Sequence, residues 1–142
     1  MNSTARVPID ILLRVAGMAA LDWGFGRLYE EVAAPPVGAD IGEGLLGFLL
    51  VVSAAGMWAA ADGRNRSFRR LALTWVVVGV AAGVAMTAGV QLDGYAPPDW
   101  AVFRSDLRDV APFLAGLVIV PAFASGGLVT AVRDLTRPRY NL

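Results

Sequence analysis

Four charged side chains, Asp10, Arg14, Asp22 and Arg27, stand inside a stretch from Ile9 to Tyr29 that is otherwise mostly apolar. A charged side chain near the centre of a bilayer costs about 2.5–3.5 kcal/mol on insertion scales, so charges at such depths mark ion pairs or a path for protons and ions. Arg14 follows Asp10 by four residues, a spacing that pairs side chains across one helical turn, and its long stem can carry the guanidinium to the interface. Arg27 has the same option beside Glu30 and Glu31. Asp22 is too short to reach an interface from its position about 4–5 Å past the midpoint of the stretch. Four states are open to it: pairing with an arginine inside a bundle, protonation, lining a polar path for protons or cations, or a seat at the outer interface. Direct pairing with Arg14 is disfavoured, because eight residues put the two about 12 Å apart along a helix and about 80° round it.

The remaining inventory is narrow. The chain has no Cys, no His and no Lys, and all 12 basic residues are Arg. Thiolate chemistry, cysteine zinc sites, imidazole general bases, haem ligation through His and Schiff bases through Lys are therefore absent. No GxSxG motif and no acidic metal cluster occurs. Asp106 and Asp109 form a weak acidic pair that Arg104 and Arg108 neutralise. The expectation is a protein without catalysis, cofactor or metal. Balanced charge, 12 basic against 12 acidic residues, also excludes a general nucleic-acid binder, since neutralising phosphates needs a basic surplus.

The elements that must position these side chains follow from hydropathy. Of the 142 residues, 56% are hydrophobic and 17% charged, both displaced from the roughly 45–50% and 25% of soluble domains. Uncharged runs cover 44–61, 71–92 and 110–132, each near the roughly 20 residues a bilayer crossing needs. The first stretch, about 9–29, is a less apolar fourth. A signal peptide is disfavoured there by the internal charges and by Pro35 after the small-residue site Val32-Ala33-Ala34. A helix lying flat in the interface is the other alternative.

Loop charges favour crossing. The 62–70 connection carries four Arg against Asp62, and the tail from Arg133 carries three against Asp134; the 30–43 connection has four acids and no base, and 91–109 has four Asp and two Arg. Basic loops stay in the cytoplasm. The expected fold is all-α: a single-domain four-helix membrane bundle with both termini inside. The short 62–70 connection predicts that the second and third helices are antiparallel neighbours.

The Pro35-Pro36 and Asp93-Gly94 stretches read as turns. Asp99 reads as an N-cap, followed by Trp100, Phe103, Leu107 and Val110 at helical spacing: a short amphipathic helix on the outer interface before the fourth span, with Tyr95 and Trp100 at headgroup depth. Small residues recur every four positions at Gly79, Gly83 and Thr87, at Ala81, Ala85 and Gly89, at Ala16, Ala20 and Gly24, and at Ala122, Gly126 and Thr130. Such stripes let helix backbones approach, either within the bundle or against another subunit. Pro121 should kink the fourth span and free the Leu117 carbonyl, and Pro112 marks its junction with the short helix.

The overall plan, four short helices with an acid in the first, resembles the small multidrug-resistance transporters, although those proteins are shorter, use Glu at that place and carry aromatic motifs not found here. Leu12-Leu13-Arg14-Val15 through Gly24-Phe25-Gly26-Arg27-Leu28 is similar to the first helix of DoxX-type membrane proteins. Two functions are expected in order: a non-catalytic accessory or structural subunit that packs against a larger membrane complex, and a small oligomeric proton- or cation-coupled carrier or channel using Asp22. The partners are the lipid bilayer and other helices, and the place is the inner (plasma) membrane of a bacterium, the arginine-only basic set pointing to a GC-rich genome.

Overall fold

The computed structural model describes residues 3–33, 41–93, 97 and 99–136, and every regular element among them is helical. Four long helices and one short one follow in order: α1 (Ser3–Ala33), α2 (Ile41–Gly63), α3 (Phe68–Asp93), α4 (Trp100–Asp109) and α5 (Ala111–Thr136). Three stretches, Gly44–Gly63, Phe68–Leu92 and Trp100–Thr136, are long and apolar enough to cross a membrane. The Pro35-Pro36 turn, Gly94, Tyr95 and the arginines after Thr136 lie outside the described residues.

Helices extend beyond the hydropathic runs that announced them. α1 continues to Ala33, and at 31 residues it is about 46 Å long, more than a hydrocarbon core requires. Asp62, expected in a connection, belongs to the last turn of α2, so the link to α3 is only Arg64 to Ser67. Asp99 caps α4 as its type and place require: its carboxylate accepts from the Ala101 amide at 2.7 Å, and its own backbone is extended. Gln91 Nε2 donates to Asp106 at 2.8 Å and ties the end of α3 to α4. α5 runs helical through Pro121 without a break.

Neighbouring pairs give the directions. Gly17 of α1 meets Trp58 of α2, and Gly47 meets Phe25, so these two helices are antiparallel. Gly56 faces Pro121 and Gly63 faces Gly126, so α2 and α5 run parallel; Gly83 faces Ala111 and Leu71 faces Gly126, so α3 and α5 are antiparallel. The order round the bundle is therefore α1, α2, α5, α3. α5 lies between α2 and α3 and touches both along its length, while the α1 backbone does not approach it. This corrects the expectation that α2 and α3 are close neighbours: they stand diagonally, with little contact.

The reason lies in backbone access. A Cβ on Gly83 would come within 2.5 Å of the Ala111 carbonyl oxygen and 2.9 Å of the Ala115 nitrogen; on Gly126 it would meet the Ala59 carbonyl oxygen at 2.9 Å; on Gly63, the Gly126 carbonyl oxygen at 2.6 Å. α2 and α3 both present their smallest residues to α5, and dispersion contact with it replaces contact with each other. The core between them is Val51, Ala55, Ala59, Trp75, Val78, Ala82, Val118 and Ala122, joined by Met18 from α1. Ser125 Oγ, 2.7 Å from the Gly56 and the Pro121 carbonyl oxygens, adds a polar tie between α2 and α5.

Candidate functional site

Arg14 is 3% exposed, although it was expected to snorkel. Its guanidinium turns inward and meets the end of α2. Nη2 donates to both carboxylate oxygens of Asp62, at 2.9 and 3.1 Å, and Nη1 donates to the Asp10 carbonyl at 2.7 Å and pairs with the Asp10 carboxylate. Arg66, one turn past Asp62, pairs with Asp10 through Nη2 and approaches Asp62 through Nε at 3.5 Å. Two arginines and two aspartates thus close a neutral ring drawn from α1, α2 and the α2–α3 link. Trp75 Nε1 donates to Asp62 at 3.1 Å. The Arg14 guanidinium carbon sits 5.3 Å from the Trp58 ring centroid and 6.0 Å from that of Trp75, within cation–π range of both. Arg14 Nε is a buried nitrogen with no hydrogen-bond partner among the described residues.

Asp62 has a role that helix stability alone would oppose. A carboxylate in the last turn faces the negative end of the helix dipole. Its gain comes from Arg14, Arg66 and Trp75. The carbonyls it leaves unserved are taken by Arg133, whose Nη1 donates to Gly63, Arg64 and Arg66 carbonyl oxygens at 3.1, 3.3 and 2.9 Å. One end of the bundle is therefore locked by charge: α1 to α2 through Arg14, and α2 with its link to α5 through Arg133.

Sequence reasoning found the Asp10–Arg14 pair but missed Asp62, Arg66, Trp75 and Arg133. A signal was present, since Asp62 is the one acid in an arginine-rich connection and stands four residues before Arg66.

The other end of α1 is looser. α1 and α3 run parallel, Met18, Trp75 and Val78 share the core, and toward the other end a groove of about 760 Å³ is lined by Ala19, Asp22 and Gly26 of α1 and Ala85, Met86 and Gly89 of α3. Asp22 is half-buried on its wall, between Ala19, Ala85 and Gly89, with no ion pair or hydrogen bond among the described residues. Arg27 lies at the groove's far end with its guanidinium carbon 5.9 Å from the Trp23 ring centroid. Arg14 and Asp22 are not brought together: Arg14 belongs to the ring, and Asp22 faces the groove.

The small-residue stripes divide. Gly79, Gly83 and Thr87 are buried against α5, Thr87 bonding its hydroxyl to the Gly83 carbonyl at 2.8 Å. Ala16, Ala20 and Gly24 are exposed along α1, and a Cβ on Gly24 would meet nothing within 4 Å. No three acidic side chains gather as metal ligands among the described residues. Comparison of the chain with protein-family models, curated proteins and solved structures finds no match. Neither resemblance drawn from the sequence gains support from that comparison.

Proposed function

We propose that the chain crosses a bacterial inner membrane four times, with both termini and the Arg64–Ser67 link in the cytoplasm, and serves without catalysis as an accessory or structural subunit. The observation that carries this reading is the neutral ring around Arg14. Charge is what separates α1 from the three plainly apolar stretches, and Arg14, the most deeply buried of its charges, is matched by Asp10 and Asp62. A paired, hydrogen-bonded arginine costs far less in lipid than a lone one. The exterior supports the reading too: Leu45, Leu49, Met57, Leu73, Val80, Val120 and Leu128 are exposed on α2, α3 and α5, an apolar surface too extended for water. The subunit role rests on α1, whose outward Ala16, Ala20 and Gly24 are open to a helix of another chain. Purification in mild detergent should recover a fixed partner, and Ala16→Leu should lose it while the bundle keeps its helicity. Recovery of the chain alone, as a monomer or as a homo-oligomer, would sink the subunit role. A tag after Leu142 labelled from outside intact cells would sink the orientation.

One observation favours a second reading, a proton- or cation-coupled carrier. Asp22 borders an open groove without a counter-ion among the described residues, as a coupling carboxylate would. Protein in liposomes should then carry proton or cation flux that Asp22→Asn abolishes. Flux surviving the substitution would remove Asp22 from any such mechanism.

A further inference from the structure

The α1–α3 seam opens at both ends. At the Arg66 end it forms a second groove, of about 830 Å³, with Ile9, Leu13 and Leu73 on its apolar walls and Asp10, Arg66, Arg70 and Thr74 at its polar part. We propose that this groove binds one anionic phospholipid of the cytoplasmic leaflet, its phosphate on Arg70 and an acyl chain between Leu13 and Leu73. The inference rests on the four-span orientation given above.

Three observations favour this occupant. The first is charge. In the ring, Arg14 and Arg66 are balanced by Asp10 and Asp62, so Arg70 is surplus, with no acidic partner among the described residues. Arg64 and Arg69 stand at the same end. Basic pockets between spans on the cytoplasmic side are where anionic headgroups settle.

The second is the order of polarity along the groove. Arg70 and Thr74 stand four residues apart on α3 and share one face, and Arg66 in the link reaches Thr74 Oγ1 with Nη1 at 3.5 Å. Leu73 on α3 and Leu13 on the parallel α1 each lie three residues, about 4–5 Å, further into the bundle than Arg70 and Asp10. Polar head and apolar tail positions are thus stacked along the axis, which suits an amphiphile. A partner's apolar helix would leave Arg70 against hydrocarbon. The third is exposure: Leu13 and Leu73 are each 61% exposed, so the tail position has walls but no cover among the described residues. Below it the seam is shut by buried Arg14 and Trp75.

The test is native mass spectrometry of the detergent-purified full chain dosed with phosphatidylglycerol or phosphatidylcholine of identical acyl chains. One arginine near an anionic surface corresponds to about a fivefold change in affinity. Phosphatidylglycerol should therefore be retained about fivefold or more over phosphatidylcholine. Arg70→Gln should lower its retention about fivefold, and Arg104→Gln on α4, at the opposite end, should leave it unchanged. Leu73→Trp, which fills the tail position from an exposed site, should weaken both lipids. Equal retention of the two lipids, equal effects of Arg70→Gln and Arg104→Gln, displacement by free glycerol phosphate, or lipid-free dimers that Leu73→Trp breaks would each overturn the proposal. If the chain stays in solution without detergent, the membrane reading itself falls. A detergent-dependent chain that shows no lipid preference sinks the lipid site alone.

Discussion

Replacing Asp62 by Leu should be the most damaging single change at the charged end of the bundle. The substitution removes both hydrogen bonds to Arg14 Nη2, at 2.9 and 3.1 Å, the Trp75 Nε1 bond at 3.1 Å and the 3.5 Å approach of Arg66 Nε. One carboxylate, Asp10, then faces two guanidinium groups, and Arg14 is 3% exposed with no route to water. Stranding a buried charge in this way costs about 3–5 kcal/mol. Arg14→Met should cost less, about 1–3 kcal/mol, because Arg66 remains within reach of both Asp10 and Asp62 and the thioether fills the space between Trp58 and Trp75. The double variant leaves only the balanced Asp10–Arg66 pair. Apolar replacement of a whole buried ion pair is often neutral, so it should lie near the parent. With the single changes at about 3–5 and 1–3 kcal/mol and the double near zero, a coupling of about 4–8 kcal/mol between the two sites follows. Equilibrium unfolding in mixed dodecylmaltoside–SDS micelles, read by far-UV circular dichroism, measures all four corners of the cycle. If Asp62→Leu costs under about 1 kcal/mol, or the two changes simply add, the ring does not hold the helices together and the argument for α1 in the membrane loses its main support.

Gly83→Ala should destabilise the bundle by about 1–3 kcal/mol through overpacking, because the new methyl would press on the Ala111 carbonyl oxygen 2.5 Å away. Gly89→Ala, with nothing within 4 Å, should instead be neutral or gain up to about 1 kcal/mol from helix propensity; the same micelle titration compares them, and equal effects would refute the close α3–α5 approach. Arg133→Gln removes the donor shared by the Gly63, Arg64 and Arg66 carbonyls. Limited proteolysis should then cut the Arg64–Ser67 link faster, at a stability cost of about 1–2 kcal/mol; an unchanged cutting rate would mean the link is held without Arg133.

The carrier and subunit readings share Ala20, which lines the groove beside Asp22, but otherwise use different faces of α1. Asp22 faces the groove toward α3, whereas Ala16 and Gly24 face outward. A protein can use both faces, so a flux that also needed the intact Ala16–Gly24 face would point to an assembled carrier. The ring at the other end serves either reading, because it anchors α1 at one end and leaves the Asp22 half lightly packed.

Local information was sufficient for the helices themselves. Uncharged runs announced α2, α3 and α5, and Asp99 announced α4, because hydropathy and an N-cap depend only on residues within a few turns. Asp10 and Arg14 were readable as a pair for the same reason, lying four residues apart. Only the tertiary structure decided which helices touch and what Arg14 is for. Glycine and alanine are spread so evenly that no stripe names its own partner, and the choice of α5 as the helix between α2 and α3 depends on how closely three backbones fit. Asp62 lies 48 residues from Arg14 in the chain; an ion pair across that distance has no spacing rule, and it forms because antiparallel packing brings the end of α2 beside the start of α1.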